Sequence, residues 1–245
     1  MSIGISNNQK NLSFGALQSQ KWKRVLKYIE LTPSSPVSDA FVKEMASGIE
    51  SIDGRVLRQI LKVQNLKFKL AQKTSDAFPY LKGLQPRGWP KDKTWDNVGA
   101  LSQGGKIGLF EKPIGEPTPS INAVRHEAGH ELLRSFKKVI NVDFDDTKGY
   151  TQAYLTDISK LYENMKKYGK KVKYADFCIN YVVQGSTPKN PTKGGKNEAF
   201  AEIFAMLNGG SNQERDFKGM DKLYKQVFPE TTAYVEKLLY LMGKR

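Results

Sequence analysis

An α+β domain, a small mixed sheet packed on helices with a helical C-terminal half, is the fold class this sequence predicts. Three observations predict it. The run Asn65-Leu66-Lys67-Phe68-Lys69-Leu70 alternates strictly, the period of a half-buried strand, and Lys106-Ile107-Gly108-Leu109-Phe110-Glu111 reads as a second one. Helical spacing then dominates from Ile121 to Lys138, Gln152 to Lys166, Asn197 to Asn208 and Lys218 to the end. With 245 residues, 39% of them hydrophobic and 26% charged, the chain has the composition of a soluble core-former with one large domain or one domain and an appendage. There is no internal repeat.

In chain order, residues 1–16 are rich in Ser, Asn, Gln and Gly and read as a flexible polar tail. From Gln18 to Leu31, Trp22, Val25, Leu26 and Ile29 fall at helical spacing among Lys21, Lys23, Arg24 and Lys27. This predicts a basic amphipathic helix, docked on its own domain or lying on an anionic surface. Thr32-Pro33-Ser34-Ser35-Pro36 reads as a linker, because each proline keeps its predecessor out of the helical region. Residues 17–36 thus form a helix and linker, and the main domain spans 37–245. Within it, helices are expected near Ser38–Ile49 and Gly54–Val63, and an ordered loop and hairpin region over Pro79–Gly105, which holds Tyr80, Trp89 and Trp95.

Lys and Arg exceed Asp and Glu by 14, which favours anionic partners but says nothing about fold. The single cysteine, Cys178, excludes an intramolecular disulfide framework. No apolar run approaches the roughly 20 residues of a membrane span, and the start lacks the apolar region of a secretory signal. A cytoplasmic location or export by another route is the expectation.

Both histidines of the chain sit in His126-Glu127-Ala128-Gly129-His130. On a helix, residues four apart share a face, so the two imidazoles converge as Zn²⁺ requires, and Glu127 can reach a water held there. Val124, Ala128 and Leu132 line the opposite side and predict an interior helix. Gly129 costs about 1 kcal/mol relative to Ala unless another backbone, here expected to be a strand, approaches closely. A third His at the long zincin spacing is excluded, since Leu133 and Phe136 stand there.

The remaining donors are carboxylates. Glu198 and Glu202 lie on one helical face amid Phe200, Ile203, Phe204 and Leu207, with Ala199, Ala201 and Ala205 leaving room for close helix approach. Two buried carboxylates repel, and a shared cation resolves the conflict. Glu198 becomes the third ligand of a His₂Glu site and Glu202 the acceptor for the outer nitrogen of a ligand His. The alternative leaves both glutamates solvated at the rim of an amphipathic helix. Asp143, Asp145, Asp146 and Asp157 share no comparable apolar frame.

The His126–His130 helix, the Asn197–Phe204 helix after a long insertion, and the stretch Arg87-Gly88-Trp89-Pro90 through Thr94-Trp95-Asp96-Asn97-Val98 resemble the metalloprotease domain of the anthrax lethal factor family. That family includes the Pro-Pro endopeptidases, and the likeness covers roughly Val37 to Met242. It implies a compact α+β zincin-like fold, with Glu198 as ligand and Glu202 as supporting residue. It also implies a tyrosine shortly before the ligand Glu that faces the reacting carbonyl. At the closest spacing stands Pro191; Tyr181 and Tyr174 are the nearest upstream candidates, and Tyr181 is chosen because Thr187–Gly195 looks like a loop inserted after it.

The function expected is a zinc endopeptidase with one Zn²⁺ per chain held by His126, His130 and Glu198. Glu127 is its general base and Tyr181 its oxyanion donor, and a protein or peptide is its substrate. Lys106, Ile107, Gly108 and Leu109 are expected to bind substrate, as the edge strand to which an extended peptide adds or else as an ordinary sheet strand. Two rivals remain: an inactive zincin serving as a binding module, and a basic protein whose Lys166, Lys167, Lys170, Lys171 and Lys173 contact nucleic acid or an anionic surface. The latter lacks a recognisable nucleic-acid motif.

Overall fold

The computed structural model describes residues 24–86, 89–113, 118–169, 175–214 and 217–243. The tail, the first part of the Gln18–Leu31 segment, Arg87, Gly88, Tyr174 and three of the clustered lysines (Lys170, Lys171 and Lys173) lie outside them. The four strands are β1 (Ile29–Leu31), β2 (Lys67–Ala71), β3 (Ala100–Gln103) and β4 (Lys106–Phe110), ordered β1-β2-β4-β3. The first three in that order run parallel, with Phe68 between Ile29 and Ile107, and β3 is antiparallel to β4. Gly104 and Gly105, at φ 60 and 79, form the two-residue turn between β3 and β4, where both residues need positive φ.

Two expectations change here. The helix expected to run to Leu31 gives way to strand β1, whose neighbours Tyr28 and Thr32 bond to Phe68 and Leu70 across the sheet. The proline segment after it is sewn into the domain: Ser35 is buried, donates to Asp76 Oδ2 at 2.6 Å and accepts from Gln72 N at 2.8 Å. Sheet hydrogen bonding, a long-range effect, overrides the helical spacing. The second change concerns Lys106, Ile107, Gly108 and Leu109, for which an edge strand and an ordinary sheet strand both stood open, and which form the latter. β4 is paired on both sides, Ile107 and Leu109 are fully buried, and Gly108 packs so tightly that a Cβ there would meet Phe78 and Phe110. The free edge next to the motif helix is β3.

The principal helices are α1 (Asp39–Ser51), α2 (Gly54–Gln64), α3 (Thr74–Ala77), α4 (Ile121–Ile140), α5 (Lys148–Gly169), α6 (Ala175–Val183), α7 (Lys193–Leu207), α8 (Met220–Val227) and α9 (Pro229–Gly243). Ser38 caps α1 and Asp53 caps α2 through their side chains, which fixes both starts close to where the pattern puts them. At the centre, α4 packs against α1, α2, α7 and the β3–β4 hairpin. Its Val124, Ala128 and Leu132 are fully buried, and a leucine-sized side chain so placed stabilises the fold by about 1.5–3 kcal/mol. A smaller apolar cluster of Phe78, Leu81, Val98, Leu101 and Phe110 orders the Pro- and Gly-rich stretch before β3. No helix among the described residues is long and apolar enough to cross a membrane.

Candidate metal centre

Helix α4 starts at Ser120, whose side chain accepts from Asn122 N, and ends at Asn141 in the left-handed conformation. Helix α7 starts at Thr192, whose hydroxyl accepts from Gly195 N. The two cross where Gly129 has no side chain: a Cβ there would lie 2.9 Å from Ala201 Cα and 3.3 Å from Phe204 Cβ. The close neighbour expected for Gly129 is therefore a helix, not a strand, and the small residues of α7 allow the contact.

That crossing brings together His126, His130 and Glu198. The two Nε2 atoms are 3.1 Å apart, and Glu198 Oε2 lies 3.3 Å from that of His126 and 3.6 Å from that of His130. Donors about 2.0–2.1 Å from a tetrahedral ion stand about 3.3 Å from one another, so these separations are those of three corners of such a site. Glu198 Oε2 is buried and makes no hydrogen bond.

The partners behind the imidazoles set their tautomers. Glu202, fully buried, has Oε1 3.2 Å from His126 Nδ1, an ion-pair distance without hydrogen-bond alignment, while its Oε2 accepts from Asn212 N at 2.8 Å. On the other side Asn197 Oδ1 is 2.9 Å from His130 Nδ1, and Asn197 Nδ2 donates to the buried Asp145 Oδ2 at 3.1 Å. A carboxylate only accepts, so Asp145 turns the amide oxygen of Asn197 toward His130. With a metal bound, both imidazoles would carry their proton on Nδ1 and turn their Nε2 lone pairs, with the Glu198 oxygen, toward one point. A cation at their common point satisfies all three.

The charges show the same demand for positive charge at this point. Burial would lower His126, but Glu202 and Glu198 override it and raise the imidazole well above its ordinary value, so that without a metal the ring itself tends to hold the second proton that a cation would replace. Burial would raise Glu198, but the two imidazoles hold its carboxyl below the usual carboxylate range. Glu127, 8% exposed, is pushed up by burial against the opposing pull of His126 and His130. The Tyr181 ring lies 6.3 Å from that of His126; burial, then Glu198 and Glu202, push its hydroxyl well above its normal value.

The structure thus brings His126, Glu127, His130, Tyr181, Glu198 and Glu202 to one place, and leaves Lys106, Ile107, Gly108 and Leu109 inside the sheet. Sequence reasoning missed Asn197 and the supporting role of Asp145. Asn197 stands directly before Glu198, but no spacing rule links it to an acid 52 residues upstream. It also missed Glu131, fully buried one residue past the second histidine, which accepts from Ser102 Oγ of β3 at 2.6 Å and pairs with Arg134.

Residues 16–182 match the family described as anthrax toxin lethal factor, N- and C-terminal domain; the match covers both histidines and ends before Glu198. The solved structure of the Pro-Pro endopeptidase PPEP-2 from Paenibacillus alvei superposes with a TM-score of 0.57 at 21% identity, over 86% of this chain and 97% of that one. At that identity the likeness is one of fold. A comparison with curated proteins finds no match. The motif helix inside a match spanning more than half of the sequence, together with the shared α+β zincin-like fold, places the chain: it belongs to the anthrax toxin lethal factor family.

Proposed function

We propose that the protein is a zinc-dependent endopeptidase that hydrolyses peptide bonds of a protein substrate. The observation that carries this reading is the convergence of the His126, His130 and Glu198 donor atoms at tetrahedral spacing. When bound there, Zn²⁺ supplies a Lewis acid that polarises a carbonyl and lowers the pKa of water toward neutrality.

The rest is done by this chain. Glu202 and Asn197 keep the imidazole protons on Nδ1, so that both Nε2 atoms stay available. The Glu127 carboxylate takes a proton from the attacking water and returns it to the leaving nitrogen; its raised pKa brings it nearer to neutrality, where such a group works in both directions. The Tyr181 hydroxyl keeps its proton and donates to the oxyanion, a contribution worth about 3–4 kcal/mol for a donor of this kind. An extended substrate adds along β3, the free edge beside α4.

Digestion of a broad peptide library with and without chelator tests this, alongside metal analysis. The expected result is about one Zn per chain, cleavage abolished by chelator and restored by Zn²⁺, and in Glu127→Gln retained metal with turnover reduced by about 10²–10⁴-fold. Metal bound without cleavage of any peptide sinks the enzymatic reading and leaves an inactive zincin.

A further inference from the structure

A cleft of about 510 Å³ opens beside the metal centre. Asn197, which holds His130, is part of its lining. Gly104 and Gly105 of the hairpin turn line it, with Arg134, Lys137 and Lys138 from the last turns of α4 and Lys193 from the start of α7.

The edge of β3 leads into this cleft. Phe110 N donates to Gly99 O at 2.9 Å, and the pairs Leu101↔Gly108 and Gln103↔Lys106 follow in the same phase. In an antiparallel ladder the alternate residues, Ala100 and Ser102, therefore turn their N–H and C=O groups away from β4. Arg134 Nη2 already holds the Ser102 carbonyl at 3.0 Å. A peptide laid along β3 finds Ala100 free to pair and then, at Ser102, meets a guanidinium at the mouth of the cleft. Arg134 is 43% exposed and has donors left over.

The charges facing that peptide are mostly positive. Of the acids in the cleft lining, Asp145 is buried and engaged with Asn197, and Asp143 lies between Lys137 Nζ at 3.2 Å and Lys193 Nζ at 3.7 Å. Glu131 offsets Arg134 from beneath but is fully buried. Asp143 is itself 38% exposed and offsets part of this charge, so the open side carries Arg134, Lys137, Lys138 and Lys193 against one accessible acid and attracts a carboxylate, while Asp145 and Glu131 are out of reach. From His130 to Lys137 the helix advances about 10 Å, the length of about three residues of extended chain.

We propose that this cleft is a subsite for an acidic side chain of the substrate, a Glu or Asp about three residues from the cleaved bond, selected by Arg134, Lys137 and Lys138. The assignment rests on the peptidase reading and narrows it to substrates carrying a carboxylate on one side of the bond. Nothing in it depends on which residues flank the bond itself.

The test uses peptides identical except for one position, placed up to four residues on either side of the bond, that carries Glu, Gln or Lys. Cleavage is measured with the zinc-loaded protein, and binding by fluorescence anisotropy with the zinc-loaded Glu127→Gln protein. One position is expected to favour Glu over Gln by about fivefold and over Lys by about tenfold, with both ratios shrinking as salt is raised. In the double variant Lys137→Glu, Lys138→Glu, both at exposed positions, the ratio is expected to invert toward Lys. Because each ratio is taken within one protein, a partial loss of folded material does not alter it.

A flat ratio at every position, or one unchanged in the double variant, overturns the subsite. Cleavage with a flat ratio leaves the peptidase standing without it. Binding with the expected ratio and its inversion, but no cleavage of any peptide, keeps the subsite and removes the peptidase. If the peptides neither bind nor are cleaved, both fall.

Discussion

His126 and His130 are the same residue type one helical turn apart, yet they are held in different ways. His126 has a side chain 3% exposed and is backed by Glu202, a wholly buried carboxylate. His130 is 12% exposed and is backed by the neutral amide of Asn197, which Asp145 orients in turn. Both arrangements favour the same tautomer when a metal is bound. The deeper position uses a charge because water cannot reach it to replace a lost partner, and an imidazole that has donated electron density to a cation is best balanced by a nearby anion. The shallower position manages with a dipole, at a lower desolvation cost than a second buried anion.

Glu198→Ala removes the atom both imidazoles face and should have the largest effect. The two Nε2 lone pairs are left 3.1 Å apart with two protein ligands for a metal that takes three. The expected outcome is purified protein with far less than one Zn per chain by elemental analysis and no measurable peptide cleavage. Full zinc occupancy in this variant would mean that the centre is built on some other third donor.

In Glu202→Gln the amide can still accept from His126 Nδ1, but the anion is gone and the bond from Asn212 N meets an NH₂ group instead of an oxygen. Zinc affinity should fall by about 100-fold, the upper end for loss of such a partner. Asn197→Ala should cost about tenfold, the lower end, because water can enter at the more exposed His130. Competition with a chelator of known affinity measures both. Equal losses would erase the distinction between the two histidines; a larger loss in Asn197→Ala would reverse it.

Legibility in the sequence follows the same physics. The motif helix, its apolar back face and the Glu198–Glu202 pair were readable because helical periodicity places residues three and four apart on one face, and the burial of two carboxylates demands a counter-charge. Gly129 announced a close neighbour but not its kind, since a missing Cβ accommodates a helix as readily as a strand. Strand β1 was hidden by Val25, Leu26 and Ile29, which keep helical spacing although Ile29 pairs with Phe68. That the edge is β3 and not β4 was not readable, because strand order is set by long-range pairing and the four residues Ala100–Gln103 are too few to show a period within the Pro79–Gly105 region. Asn197 and Asp145 were invisible as a pair for a related reason: amide and acid meet only once α7 has docked on the turn at Phe144–Asp146.

Asp145 supports the smallest effect and the finest test of the relay. Asp145 is 3% exposed, and its carboxylate reaches His130 through Asn197. In Asp145→Asn the new side chain can still present an oxygen to Asn197 Nδ2, so the amide keeps its orientation and zinc affinity should hardly move. In Asp145→Ala that constraint is lost, Asn197 is free to turn its NH₂ toward His130 Nδ1, and a fraction of the imidazole shifts its proton to Nε2, where it blocks the metal. The loss should then be smaller than the roughly tenfold cost of Asn197→Ala, and should vanish when Asp145→Ala is made in an Asn197→Ala background. Losses that simply add in the double variant would show that Asp145 acts on the centre by its charge rather than by steering the amide.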